Sequence, residues 1–463
     1  MKIIILGSGT VGTELAKYLV NAGHAVTIID RPSAEISQIG THLDLRVVVG
    51  NPCSPAILRK AGAENTELLV AATSDDEENI TACCVAAFLF RIPRKMARIR
   101  STEYLQEAEG LFGATGIPID HIISPEVIIT DSIMDLIELP GAAAVGSFFQ
   151  NRIVAVCVRC ALGGKLIGKS VENFYDYDAT ASILAIYRDG KFIKEFAKNT
   201  FRPGDEVYFC CERNRALSQM SALIPLETGG RNITISGGSH NADELAHRLS
   251  ERYHVKLIEP DTARSQRIAE RLRGTNVEVY NADPVDTEFM VEEHLHASDL
   301  FIAASPNDET NIMSSLLLSR LHKVHTLAVI QSDGYFELAN GSRGEIDTII
   351  SPREATLSAI LSNIRQEGVE NLHLFRQGQS EVIEIKIEGS HLGSKVVGRK
   401  VSAVNLPEGV NLGLIIRGRR LIQIDPDCVF EEGDHVIAFL DDNKRMRELV
   451  QTFRPRSFWI PKW

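Results

Sequence analysis

Gly7, Gly9 and Gly12 lie between the apolar run "KIIIL" and the segment "TELAKYLVNAG", and Asp30 ends the next apolar run. Glycines at this spacing between a strand and a helix, with an acid closing the following strand, are the arrangement that binds a dinucleotide. Gly7 makes the tight turn, Gly9 lets the backbone approach a pyrophosphate, and Gly12 lets helix and strand pack closely. The phosphates would rest on the amides of the Ser8–Gly12 turn, including Thr10 and Val11, where the helix dipole favours negative charge. Asp30 would accept the ribose hydroxyls and repel a 2′-phosphate, so NAD(H), or ATP/ADP at the same site, is expected and NADP is not. Arg31 and Asn51, beyond the second and third strands, belong to the same edge. In "AATSDDEENI", Thr73 and Ser74 follow the fourth strand at the carboxyl edge, where ligands of open α/β sheets bind. They are candidates for ribose or phosphate contacts, or for the helix N-cap. Arg98 and Arg100 of "ARIRSTEY" alternate onto one face and would supply charge for phosphates.

Catalytic groups do not accompany this site. The one Tyr-x-x-x-Lys, Tyr187 to Lys191, spans the turn "YRDGK" rather than a helical turn. "HLH" (294–296) and "HKVH" (322–325) lack metal-ligand spacing, and no P-loop motif occurs. A nucleotide site without an acid/base neighbour predicts a sensor rather than an enzyme. A nucleotide-dependent oxidoreductase is the alternative.

The elements that hold these residues are repeated. With Gly7 set against Gly237, "KIIILGSGTVGTELAKYL" meets "NITISGGSHNADELAHRL" and Asp30 meets Glu259. "LLVAATSDDEENI" meets "LFIAASPNDETNI", "IDHIISPE" meets "IDTIISPR", and "FRPGDEVYF" meets "FEEGDHVIAF". Each half therefore alternates strands with helices, which implies parallel βαβ units, and then turns to short strands separated by signals such as "RDGK" and "PGDE". The expected architecture is α/β: two tandem units, each a doubly wound, Rossmann-like N-domain followed by a small α+β C-domain. The boundaries expected are 1–124 and 140–225 for the first unit, 231–351 and 370–452 for the second.

The bulk properties agree with a soluble protein. Hydrophobic residues make up 44% and charged residues 24% of the 463, and no apolar run approaches the ~18–20 residues of a membrane span. The net charge of −12 argues against nucleic acid as a partner. The eight cysteines include the adjacent pairs Cys83/Cys84 and Cys210/Cys211. Cys157 and Cys160 lie in an alternating run that sends them to opposite faces of a strand, so one metal would not bind both. Buried, reduced thiols in a cytoplasmic protein are expected, with no metal site.

The order of parts resembles the TrkA family of Trk-type potassium-uptake regulators, which carry two tandem RCK units. The resemblance spans essentially the whole chain and is carried by "GSGTVG", Asp30, "ATSDDEEN", "ARIR", the paired "IISP" and the "PGDE"/"EGDH" motifs. It implies a cytoplasmic, non-enzymatic subunit that binds NAD(H) and ATP or ADP. It also implies a homotetramer that sits on the inner face of the membrane by binding a potassium-translocating protein of the TrkH/TrkG type and gates it. An RCK regulator of another cation channel or antiporter is the nearest alternative.

The second copy departs from the motif. Gly9 and Gly12 become Ser239 and Ala242, and Arg98 and Arg100 become Val329 and Gln331. A serine Cβ would crowd the pyrophosphate, so the second N-domain is expected to retain Glu259 and lose its phosphate chemistry. By the resemblance, the amphipathic segments 126–139 and 353–366 would be the RCK helix that crosses to a partner subunit; on sequence alone they also fit ordinary helices of their own domains. The tail "FRPRSFWIPKW", with Arg454, Arg456 and Lys462, is a candidate contact with the membrane protein or a segment packed on its own domain.

Overall fold

The computed structural model describes residues 1–463 apart from 33–43, 114, 178–179, 226–229, 231, 239, 342–344, 365–367, 390–392 and 455–463. The chain forms two units, one of Met1–Ile128 with Thr356–Ile364, the other of Ile129–Ala355 with Arg365–Trp463.

The first unit is built on six strands: β1 (Lys2–Leu6), β2 (Ala25–Asp30), β3 (Arg46–Val49), β4 (Leu68–Ala71), β5 (Arg94–Arg98) and β6 (His121–Ile123). They pair in parallel in the order β3-β2-β1-β4-β5-β6. β1 and β4 are continuous apolar runs because helices cover both faces of the sheet. Strand order reverses between β1 and β4, which opens a crevice at their carboxyl ends. Lys95, 6% exposed, is a buried cation within β5; it pairs with Asp120 at 3.0 Å and donates to the Ile92 and Pro93 carbonyls.

The second unit contains both small domains and the second parallel sheet. The first small sheet has β7 (Ala142–Phe148), β8 (Ile153–Arg159), β9 (Ser182–Arg188), β10 (Lys191–Phe192) and β11 (Glu206–Glu212), in the order β10-β9-β11-β8-β7. The second parallel sheet repeats the first: β12 (Asn232–Ser236), β13 (His254–Ile258), β14 (Val277–Tyr280), β15 (Leu300–Ala303), β16 (His325–Val329) and β17 (Thr348–Ile350), ordered β14-β13-β12-β15-β16-β17. The last sheet has β18 (Val369–Phe375), β19 (Ser380–Lys386), β20 (Val410–Arg417), β21 (Arg420–Gln423) and β22 (His435–Leu440), ordered β18-β19-β22-β20-β21. The architecture expected from the sequence is therefore present twice.

The "PGDE" and "EGDH" motifs have a physical role in these small sheets. Asp205, 1% exposed, takes a two-pronged ion pair from Arg188 at 2.7 and 2.8 Å and accepts from the Arg202 amide at 2.8 Å. Asp434, fully buried, takes the same pair from Arg417 at 2.8 and 2.9 Å and accepts from the Glu431 amide at 2.8 Å. Each clasp joins a hairpin end to the turn that starts the neighbouring strand. The two small domains also share a core, in which Phe148, Tyr187 and Tyr208 meet Phe375 and Phe439.

The thiols lie as the alternation requires. Cys157 belongs to that shared core and Cys160 to a different one. Burial pushes each thiol up to about 12. Among the described residues no group of histidine, cysteine and acidic side chains is arranged to hold a metal, and no helix is long and apolar enough to cross a membrane.

Within this chain each crossover helix runs from one unit into the other, an internal exchange. The helix Pro125–Glu138 starts in the first unit. Its Ile129, Ile133 and Leu136 belong to a core that holds Val154, Phe209 and Met220 of the first small domain together with Ile233, Ile235 and Leu245 of the second parallel-sheet domain. Asp131 on the same helix pairs with Arg248 at 2.7 Å, and Asp135 with Arg213 at 2.9 Å. The counterpart helix Pro352–Asn363 starts in the second unit, and its residues from Thr356 onward belong to the first.

Candidate nucleotide-binding site

The turn after β1 has the geometry its glycines predict. Gly7 has φ +102°, and a Cβ there would lie 2.8 Å from the Ala72 carbonyl oxygen. A Cβ on Gly12 would lie 2.1 Å from the Gly7 carbonyl oxygen, so the helix packs on the turn through a bare backbone. Gly9 caps the helix Thr10–Asn21 in an extended conformation, and a Cβ there would meet no atom of the described residues within 4 Å. Among the described residues no side chain caps this helix, and its first turn holds no acid. Its N-terminal amides and positive dipole end therefore face the crevice. Ser8 is buried, while Gly9 and Thr10 are exposed and Val11 is half-buried.

Asp30 stands beside the turn. Its Oδ2 accepts from the Ser8 amide and hydroxyl, both at 2.6 Å, and its Oδ1 accepts from the Arg31 amide at 2.7 Å. The carboxylate is thus oriented before any ligand arrives and still has acceptor capacity for ribose hydroxyls. Arg31 is exposed and pairs with Glu78 at 2.7 Å. Asn51, also exposed, follows β3 and accepts from the Cys53 amide at 2.8 Å.

The edge after β4 is organised differently. Asp75 caps the helix Asp76–Phe88, accepting from the Glu78 amide at 2.6 Å. Thr73 is only 8% exposed, and its hydroxyl is engaged with Asn79 Oδ1 at 2.8 Å and the Asp75 carbonyl at 3.2 Å. The cap is therefore Asp75, Thr73 shapes the turn, and Ser74 is the exposed hydroxyl of the pair. Asn79, fully buried, also donates to the Arg98 carbonyl at 2.9 Å, tying this turn to the end of β5. Asp76 accepts from the Arg100 and Ser101 amides at 2.9 and 2.8 Å.

Arg98 ends β5, and Arg100 lies beyond the strand rather than in it. Two interstrand spacings place β5 about 10 Å from β1, the reach of a ligand that starts at Asp30 and crosses the glycine turn. Arg98 Nε is buried and has no hydrogen-bond partner among the described residues. Burial first, and then the charge of Arg100, hold its guanidinium below its ordinary range, opposed by Glu126 and Asp76. A phosphate would satisfy the unused donor and relieve the repulsion. Arg100 is exposed and pairs with Glu126 at 3.1 Å. Asp76, Glu78, Asn79 and Glu126 were not among the residues singled out for the site. The repeat carried a signal for two of them, since Asp308 and Asn311 stand at the places of Asp76 and Asn79.

The second copy keeps the scaffold bond for bond. Asn311 accepts from the Ser305 amide at 3.0 Å and donates to the Val329 carbonyl at 2.8 Å, while Asp308 accepts from the Gln331 and Ser332 amides, both at 2.9 Å. Its ligand side differs. Val329 and Gln331 replace both arginines, and Ala242 is fully buried at the place of Gly12. Glu259 is only 3% exposed, with Oε2 at 2.5 Å from the Gly238 amide and Oε1 at 2.7 Å from the Asp261 amide and 3.5 Å from Arg264. Gly238 stands where the first copy has Ser8, and the longer carboxylate fills the room of the missing side chain: a Cβ on Gly238 would lie 2.5 Å from Glu259 Oε2. Ser239, the residue expected to crowd a pyrophosphate, lies outside the described residues, as do Arg456, Lys462 and both tryptophans of the tail.

Comparison with known proteins gives concordant matches. The TrkA-N domain model matches residues 3–125 and again 233–352, and the TrkA-C domain model matches 391–449. The Trk system potassium uptake protein TrkA of Haemophilus influenzae is 40% identical over 462 residues, covering 99% of this chain and 100% of that protein. The protein of the same name from Vibrio alginolyticus is 39% identical over 462 residues with the same coverage. Among solved structures, a GsuK channel bound to NAD superposes with a TM-score of 0.58 at 13% identity, over 98% of this chain and 78% of that one. The GsuK RCK domain superposes with a TM-score of 0.57 at 14% identity, over 98% and 94%. These two likenesses are of fold.

Proposed function

Because the chain belongs to the TrkA family of potassium-uptake proteins, we propose that it is the nucleotide-binding regulatory subunit of a Trk-type potassium uptake system. In this reading it acts as a homotetramer on a separate potassium-translocating membrane protein of the TrkH/TrkG type, at the inner face of the cell membrane. The observation that carries the nucleotide part is the uncapped helix end at Gly9 beside the oriented Asp30 carboxylate. NAD(H) is the ligand this geometry favours, with ATP or ADP competing for the same turn, and the NAD-bound GsuK channel of like fold is in keeping with it.

The ligand is read rather than transformed. Arg100 pairs with Glu126 at the start of the helix Pro125–Glu138, which continues into the second unit. A phosphate that draws Arg100 toward the site competes with Glu126, and so ligand occupancy would bear on that helix.

The test is potassium flux through the reconstituted membrane partner, with and without NADH, NAD, ATP and ADP. Flux should depend on nucleotide, and Asp30→Ala should lose that dependence while the protein still folds. Flux indifferent to every nucleotide would overturn the proposal. With NADH and a panel of carbonyl or quinone acceptors, the pure protein should show no turnover. Acceptor-dependent oxidation of NADH that disappears in Gly9→Trp would favour the oxidoreductase instead.

A further inference from the structure

Arg31 follows Asp30 at the end of β2, on the side of the site where the adenosine ribose would lie. Glu78 sits on the helix that follows β4, and the Arg31–Glu78 pair at 2.7 Å therefore runs between the elements on either side of β1. Glu78 is firmly placed. Its amide donates to Asp75 at 2.6 Å, its carbonyl accepts from the Cys53 thiol at 3.3 Å, and its side chain is only 13% exposed. Arg31 is the exposed partner, at 66%.

An arginine beside the ribose-binding acid is the group with which dinucleotide sites accommodate a 2′-phosphate. Here that cation is present but already neutralised. The second copy offers an internal comparison: Pro260 and Thr310 stand at the places of Arg31 and Glu78, so both partners are absent together where the carboxylate, Glu259, is buried against its own turn.

We propose that Glu78 is a specificity-determining residue of the first site: by holding Arg31 in an ion pair it withdraws a cation next to Asp30 that a ribose 2′-phosphate would use. Asp30 repels the phosphate and Glu78 denies it a counter-charge, so the two act on the same discrimination from different elements. The inference rests on the nucleotide-site reading above. Exposed ion pairs hold weakly, so releasing Arg31 should disturb the fold little, and a melting curve checks this.

Full-length wild type, Glu78→Gln and the double variant Glu78→Gln/Arg31→Ala are titrated calorimetrically with NADH and NADPH, and the ratio of the two affinities is the readout. Glu78→Gln should shift the ratio toward NADPH by about two- to fivefold, the scale on which an exposed ion pair holds. Removing Arg31 as well should abolish the shift. An unchanged ratio in Glu78→Gln, with NADH still bound, overturns this inference alone, as does a shift that survives the loss of Arg31. Wild type that binds neither NADH nor ATP overturns the site reading and this inference with it.

Discussion

A methyl group on Gly12 would lie 2.1 Å from the Gly7 carbonyl oxygen, whereas one on Gly9 would meet no atom of the described residues within 4 Å. The two glycines therefore answer to different demands. Gly12 serves packing in the unliganded fold, and Gly9, whose φ of −66° suits any residue, is left open for something the fold does not contain. Gly12→Ala should cost about 1–3 kcal/mol of stability through overpacking. Gly9→Ala should leave the melting temperature within the range of neutral surface changes, about ±0.5 kcal/mol, and lower NADH affinity about tenfold or more. Thermal denaturation and calorimetry on the same two variants separate the effects. A Gly9→Ala protein that binds NADH normally would show that the pyrophosphate does not lie on this turn. Ala242, fully buried in the second copy, shows that a related turn can take the methyl when its ligand side is closed by Glu259.

At the scale of elements, the buried clasps Arg188–Asp205 and Arg417–Asp434 bind a hairpin end to a turn in each small domain. Removing the aspartate takes the two-pronged partner from a half-buried guanidinium, which keeps the Thr200 or Val429 carbonyl, and leaves the Arg202 or Glu431 amide without its acceptor. Asp205→Ala and Asp434→Ala should therefore each cost about 3–5 kcal/mol, far more than Asp427→Ala, whose partner Lys400 is largely exposed. Denaturant titration of the three variants tests this, and equal small losses would refute a structural role for the motif. The glycine turn, the repeat and the clasp motif were legible in sequence because each is fixed by local backbone demands or survives in both copies. The partners of the site residues were not. Glu78 meets Arg31, and Asp76 meets the Arg100 amide, only because strand order β3-β2-β1-β4-β5-β6 brings distant segments to one edge. Thr73 was legible as a residue of that edge but not as one whose hydroxyl is already engaged, since Asn79 has to fold back six residues to reach it.

At the scale of the whole molecule, the two copies are not independent halves, because each crossover helix leaves the unit in which it starts. Ile133, 1% exposed, lies in a core that holds Val154, Phe209 and Met220 of the first small domain together with Ile235, Leu245 and Leu257 of the second parallel-sheet domain. Cutting the chain between its copies would divide that core. Fragments 1–225 and 231–463 should each be poorly soluble alone and should associate when produced together. Ile133→Asp places an uncompensated charge in that core, at a cost beyond about 4 kcal/mol. Hydrogen exchange on the full-length variant locates the damage: protection should fall in β12, β13 and the helix His240–Ser250, while β1 and β4 retain theirs. Loss of protection in β1 and β4 instead would mean that the helix Pro125–Glu138 stabilises the domain it follows in sequence, and the internal exchange would be refuted.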